Sequence, residues 1–272
     1  MNKITISTNP TFVAFNTIFS REVGRVFRIW KQTILPDPIS RALYLLIFGT
    51  FIGRQINLGN GLSYIDFITP GLILMTIITN AFTNTSGSFF SAKFQKWIEE
   101  ILVAPVPNYI ILWGFVAGGI FRGMLNGILV YITAILFGAQ WLISYWWILI
   151  AFGFLASVIF SLLGFYNALF AKSFDDISII PTFVLVPMTY LGGVFYPIKT
   201  LPSVIINGQS YPIWQWLSQF NPLVYLIDGF RYGFYGVNEF NVLGSFGFCI
   251  IVALGLFWIN LDHLRKGTNL RS

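Results

Sequence analysis

This chain of 272 residues has one cysteine, Cys249, and one histidine, His263. That excludes an intrachain disulfide and a metal centre built from thiolates or imidazoles. Cys249 lies inside an apolar run and reads as a small buried hydrophobe. His263, beside Asp262 where the last apolar run ends, reads as solvated. The chain also lacks the pattern G-x-x-x-x-G-K-[ST], so the backbone cradle and lysine that hold ATP phosphates are missing. No basic patch is interleaved with aromatics as nucleic-acid binding requires. Adjacent carboxylates occur at Asp175–Asp176, but one pair without a second acidic cluster makes a poor divalent-metal site. The first basic residues are not followed by an apolar stretch with a small-residue cleavage site, so no cleavable signal peptide is expected. Charge is scarce throughout, at 10% of residues.

What is present is apolar. Hydrophobic residues make up 56% of the chain and aromatics 18%, with a mean hydropathy of +0.74. Runs of about 20 apolar residues are spread over the whole length, as in a polytopic membrane protein. The expectation is an all-α membrane protein forming a single membrane domain over 1–272. Six transmembrane helices are expected at about 39–56, 67–90, 109–137, 142–171, 177–196 and 242–261. The third and fourth exceed a straight crossing and should tilt or protrude.

The net charge of +6 reports topology. Lys3, Arg21, Arg25, Arg28, Lys31, Lys93, Lys96, Lys172, Arg265, Lys266 and Arg271 fall on one side of such a chain. Arg54, Lys199 and Arg231 fall on the other. Basic residues collect in the cytoplasm, which places both termini there.

Three segments outside the spans have their own patterns. Residues 1–10 read as a disordered tail. Over 11–32, Phe12, Phe15, Phe19, Val23, Val26 and Trp30 share one helix face, opposite Arg21, Arg25, Arg28 and Lys31. That is a basic amphipathic helix suited to lie at the membrane interface or on a partner. Over 92–107, Phe94, Trp97, Ile98 and Ile101 can cover one side of a short helix while Lys93, Lys96, Glu99 and Glu100 stay hydrated. Pro105 and Pro107 stop that helix. The outer segment 197–241 is too aromatic for a solvated loop. Pro212 and Pro222 divide it into two helix-compatible stretches, expected to dip into the outer leaflet as re-entrant helices or to cap the structure.

Polar residues within the spans are few. Arg122 lies about 20 Å into the third span, near mid-membrane. A charge there costs about 2.5–3.5 kcal/mol on insertion scales, so it must face protein or water. Asn80, Thr83, Asn84 and Ser88 give the second span a polar side that lines a pathway or ties helices together. Gly114, Gly118, Gly119, Gly123 and Gly127 allow close packing of the third span. Asp228 and Arg231, three apart, are spaced to pair on one helix.

The stretches IEEILVAPVP (98–107), PTFVLVPMTYLGGVFYPI (181–198) and NPLVYLIDGFRYG (221–233) together resemble the membrane permease subunit of type-2 ABC exporters. The likeness extends over nearly the whole chain and includes the turn AKSFDDIS (171–178), shared with inner-membrane permeases of this family. A somewhat longer outer segment around 205–212 departs from the pattern.

The resemblance implies a homodimer of six-span permeases above two copies of a separate ABC ATP-binding subunit. That subunit uses ATP and Mg, and the permease itself binds no cofactor, performs no catalysis and contacts membrane lipid but no nucleic acid. It implies that 92–107 is a cytoplasmic coupling helix, with Lys96, Trp97, Glu99 and Glu100 meeting the ATPase. Phe174, Asp175 and Asp176 form a second, smaller contact. Asn80, Asn84, Arg122, Tyr196, Asp228 and Arg231 are pathway or gate candidates. The location implied is the bacterial inner membrane, and related permeases move lipid-linked glycans, lipids or drug-like molecules. Two other classes compete. An ion-driven secondary transporter would need carboxylates deep in the spans, and none is evident. A membrane enzyme acting on lipid-linked substrates would need paired acidic motifs or a histidine cluster.

Overall fold

The computed structural model describes residues 9–53, 63–140, 143–206 and 209–269. The expected tail before residue 9, residues 54–56 of the first expected span with Arg54, the start of the fourth at 142, and Lys3 and Arg271 lie outside them. The described chain is helical apart from one short hairpin. Four helices are long and apolar enough to cross a membrane: α4 (Tyr64–Phe94), α6 (Asn108–Leu136), α7 (Trp146–Phe170) and α12 (Val242–Lys266). They coincide with the second, third, fourth and sixth expected spans.

The other two expected spans are helical but broken. α1 (Pro10–Arg28) and the single turn α2 (Trp30–Thr33) lead to α3 (Pro36–Tyr44), which runs on as wider π-type turns over Leu45–Ile52. Similarly, α8 (Phe174–Ile180) passes through π-type turns at Pro181–Leu185 into α9 (Val186–Tyr190). Pro181 and Pro187 lack the N–H that a regular ladder needs. Helical backbone stops at Tyr190, short of the expected boundary at 196, and Gly193 turns the chain with φ 76°.

Helix α4 is the centre of the molecule. At 31 residues it is about 46 Å long, and most of its length is buried by α6, α7, α11 and the π-type turns over Leu45–Ile52. Glycines make this packing possible. A Cβ on Gly119 of α6 would lie 2.8 Å from the Ala81 carbonyl oxygen, and one on Gly164 of α7 would strike the backbone of Phe82. Close approach of helix backbones is the use to which membrane proteins put small residues. Helix α12 lies outermost, with Leu243, Ile251 and Trp258 exposed on its outward face. Apolar side chains on the outside of a membrane helix face lipid or another apolar surface.

The outer segment contains both expected helices: α10 (Ile213–Gln219) after Pro212 and α11 (Pro222–Tyr235), begun by Pro222 at its first position. It also contains an unanticipated hairpin, with β1 (Val204–Ile206) antiparallel to β2 (Gln209–Tyr211) in the register Val204↔Tyr211. The sequence signal was there: β-branched residues followed by Asn207-Gly208 are a strong hairpin pattern.

Helix α1 departs from a surface-lying amphipathic helix. It runs beside α6 in the same direction, with Ile18 against Gly114 and Glu22 against Gly118. The two glycines let it approach to backbone contact, and Phe121 of α6 packs against both Phe19 and Phe27. Its inward face is Ile18, Glu22 and Val26, while Phe12 and Trp30 of the expected apolar stripe are exposed.

Candidate functional site

The charged segment over 92–107 forms a joint at one end of α4. In the last turn of α4, the Lys93 ammonium donates to the carbonyl oxygens of Ala168, Leu169 and Ala171, at 3.0, 3.0 and 2.7 Å. These acceptors belong to the end of α7, whose last carbonyls have no partners within the helix. Lys93 is therefore buried rather than hydrated, and Phe94 is exposed rather than covering the apolar side. Both expectations over 92–94 are corrected, because α4 continues as a helix through Phe94 and turns these two residues with it.

Gln95 and Lys96 then break the helix, with Lys96 in the left-handed region at φ 62°. A non-glycine residue pays for that conformation, and it redirects the chain sharply into α5 (Trp97–Val103). Ile98 of α5 is fully buried and anchors the helix, while Lys96, Glu99 and Glu100 are exposed. The two glutamates occupy the first turn of α5, where negative charge complements the helix dipole. Pro105 and Pro107 follow, as expected.

Two elements flank α5. On one side the Arg21 guanidinium of α1 lies 3.4 Å from the ring centroid of Trp97, above a cavity of about 540 Å³ that reaches Ile18 and Ile101. On the other, Glu99, Leu102 and Val103 share a groove with Leu264–Gly267 at the end of α12. The turn before α8 closes the same end of the molecule. Phe174 packs on the rings of Phe90 and Phe94, at 4.9 and 5.3 Å between centroids. Asp176 accepts from the backbone N–H groups of Lys172 and Ser173, and its own N–H donates to Ser173 Oγ, which makes a reciprocal cap for α8. These hydrogen bonds hold its carboxyl below the ordinary aspartate value. Asp175 stands beside it in the first turn of α8. The two expected contact regions, 96–100 and 174–176, are thus joined through the last turns of α4.

The polar side of α4 forms a ladder at four-residue intervals. Thr76, Asn80, Asn84 and Ser88 each meet a polar side chain of the preceding segment. Arg41 Nε donates to Thr76 Oγ1 at 3.1 Å. Asn80 Nδ2 donates to Asp37 Oδ2 at 2.8 Å. Arg25 Nη2 donates to Asn84 Oδ1 at 2.9 Å, and Ser88 Oγ donates to Glu22 Oε1. Arg25 also pairs with Glu22 at 2.8 Å, and Asn126 of α6 ties Asn80 to the Thr33 carbonyl. Asn80 and Asn84 are both buried.

Two expectations change here. Arg25 is turned inward, not left on a hydrated basic face. Carboxylates do reach the interior: Glu22 is 2% exposed, and Asp37 meets Asn80 about 24 Å from the start of α4. Arg122 is half-buried on α6, in no ion pair among the described residues, with its Nε unpartnered.

At the opposite end, Asp228 and Arg231 of α11 do not pair directly. Asp228 accepts from the backbone N–H groups of Glu239 and Phe240, at 2.8 and 2.9 Å. Arg231 donates to the Gly193 carbonyl at 2.8 Å and stacks over Phe67 at 4.0 Å. Both find unpaired backbone groups in the adjoining turns, which a neutral side chain could not satisfy as strongly. Tyr196 donates its hydroxyl to the Tyr190 carbonyl at 2.7 Å. His263 is half-buried against Tyr166 and Phe170 rather than solvated.

Sequence reasoning missed Glu22, Asp37, Arg41 and Lys93 as members of these networks. Only Glu22 left a signal, lying between Ile18 and Val26 at four-residue spacing on a face that a surface helix keeps apolar.

Comparison with known proteins bears on what this architecture belongs to. A family model described as "ABC-2 type transporter" matches residues 13–235. The inner membrane transport permease YadH of Escherichia coli K12 is 47% identical over 262 residues, which span 96% of this chain and 98% of that protein. Nodulation protein J of Rhizobium leguminosarum bv. viciae is 27% identical over 249 residues, covering 89% of this chain and 92% of the relative. Nodulation protein J of Rhizobium meliloti is 24% identical over 247 residues.

Proposed function

This chain belongs to the ABC-2 type transporter family, and from that premise we propose that it is the permease of an ATP-driven exporter that receives force at α5. It is a multi-pass inner-membrane permease subunit and not an enzyme; ATP hydrolysis resides on a separate chain. In the proposed assembly two copies of this chain pair above two ATP-binding subunits, which use ATP and Mg. Six crossings per copy put both termini in the cytoplasm. The four long helices supply four crossings, and α3 with its π-type continuation and α8–α9 supply the other two.

The observation that carries this reading is the construction of α5. It is a seven-residue helix, anchored by buried Ile98 and presenting Glu99 and Glu100 outward at the end of the most buried helix of the molecule. A force applied there acts directly on the core. Closure of the ATP-binding subunits would move each α5 and rock the two permeases about their interface, switching the pathway from inward-facing to outward-facing. Phe174, Asp175 and Asp176 form the second, smaller contact, continuous with the first through Phe90 and Phe94. Asn80, Asn84 and Arg122 stand along the middle of the pathway, and Tyr196, Asp228 and Arg231 near its outer gate. The cargo is a lipid-linked glycan, lipid or drug-like molecule.

Co-purification tests the assignment. The chain, co-expressed with its ATP-binding subunit, is expected to isolate as a stable complex. Glu99→Lys with Glu100→Lys is expected to insert normally but lose that subunit. Retention of the complex at wild-type level in the double variant would sink the docking role of α5.

A further inference from the structure

We propose that α1 is a brace that keeps the joint between α4 and α5 rigid, with Arg21, Glu22 and Arg25 as its positioning residues. The inference rests on the docking role of α5. Along the chain, α5 is joined to α4 only by Gln95 and Lys96, both exposed, with Lys96 in the left-handed region. Without support from the side, a load on Glu99 and Glu100 would turn α5 about this break instead of moving α4.

Helix α1 crosses the break from the side. Arg21 stacks on Trp97, the first residue of α5, at 3.4 Å. One residue on, Glu22 accepts from Ser88, before the break. Four residues on, Arg25 donates to both the carbonyl and the side-chain oxygen of Asn84, at 3.3 and 2.9 Å. These three ties, from little more than one turn of a single helix, fasten α5 and α4 to the same rod. Two of them are charge-assisted bonds, and the Glu22–Ser88 bond is shielded from water, where such bonds hold most firmly. The rod is backed by α6, because Gly118 admits the Glu22 side chain to backbone contact. Movement of α5 therefore carries α1, α4 and α6 together. The burial of Glu22 and the inward turn of Arg25, neither of which a surface helix needs, follow from this role.

Distance measurements on the permease–ATPase complex test the brace. Spin labels are placed at Val103→Cys in α5 and Ile128→Cys in α6, both exposed sites, with Cys249→Ser removing the native thiol. With the brace intact, one narrow separation is expected both without nucleotide and with ATP trapped. Arg21→Gln with Glu22→Gln is expected to lose that narrow population in the trapped state while the ATP-binding subunit stays bound. Arg21→Lys, which keeps a cation over the Trp97 ring, is expected to retain it. If the double variant does not assemble, Arg21→Gln alone carries the test, since Arg21 is exposed and leaves the Glu22–Arg25 pair intact. An unchanged narrow distribution in every variant that assembles overturns the brace. Failure of the docking role reads out separately, as a complex that survives Glu99→Lys with Glu100→Lys.

Discussion

The Lys93 ammonium lies 2.7 Å from the carbonyl oxygen of Ala171, 78 residues further along the chain. With two further bonds to Ala168 and Leu169, it ties the end of α4 to the end of α7. Lys93→Met keeps the apolar stem but leaves these carbonyls without their cation. Hydrogen bonds to a charged group contribute about 1.5–3 kcal/mol. The variant is expected to unfold at a lower temperature in detergent, in a thermal melt against wild type.

The Glu22–Arg25 pair predicts a non-additive result. Glu22→Ala takes the carboxylate from the partly exposed Arg25 guanidinium, which keeps its bonds to Asn84, and leaves the buried Ser88 hydroxyl without its acceptor, a loss of about 1–3 kcal/mol. Adding Arg25→Met removes the other member of the pair, so the double variant should cost less than the sum of the two single variants. A double-mutant cycle on unfolding free energy measures the coupling; strict additivity would contradict the pairing.

Two glycines should respond in opposite ways to a side chain. Gly119→Val forces a branched side chain between Ser161, Thr85 and the Ala81 carbonyl, an overpacking that costs about 1–3 kcal/mol or more. Gly24 of α1 has no atom within 4 Å of its Cβ position. Gly24→Ala is expected to gain about 0.5–1 kcal/mol from helix propensity. Accumulation in the membrane and thermal midpoint distinguish the two.

The cap at Asp176 should be sensitive to acid. Its carboxyl is held below 3.8 by the backbone N–H of Lys172, the Ser173 hydroxyl and the Ser173 N–H. A depressed carboxylate stabilises the folded form fully above its unfolded value and loses that contribution as pH falls through the folded value. The protection of amides in the first turn of α8, taken relative to the intrinsic exchange rate at each pH, should therefore fall as the solution is acidified below about pH 4. Ser173→Ala should lower that protection already at neutral pH.

Much of this architecture is legible along the chain because it depends on neighbours in sequence. The lengths of α4, α6, α7 and α12 follow from apolar runs, and α10 and α11 follow from Pro212 and Pro222. The exposure of Glu99 and Glu100 follows from the spacing of Trp97, Ile98 and Ile101. The misread residues are those whose environment is set from afar. Lys93 looks like a hydrated lysine until the end of α7 is beside it. Asp228 and Arg231 have the spacing of a pair, yet each is claimed by backbone groups in a different turn.

The sequence by itself determined an all-helical membrane chain with a charged joint after its second apolar run, because length, hydropathy and proline act locally. Only the tertiary structure decided where the polar groups go. A polar side chain shielded from water must find its partner in protein, and that partner is whichever residue the packing brings near. The glycines of α6 bring α1 close enough for its side chains to reach α4, and so Glu22 is turned away from water and bonded to Ser88 while Arg25 reaches inward to Asn84.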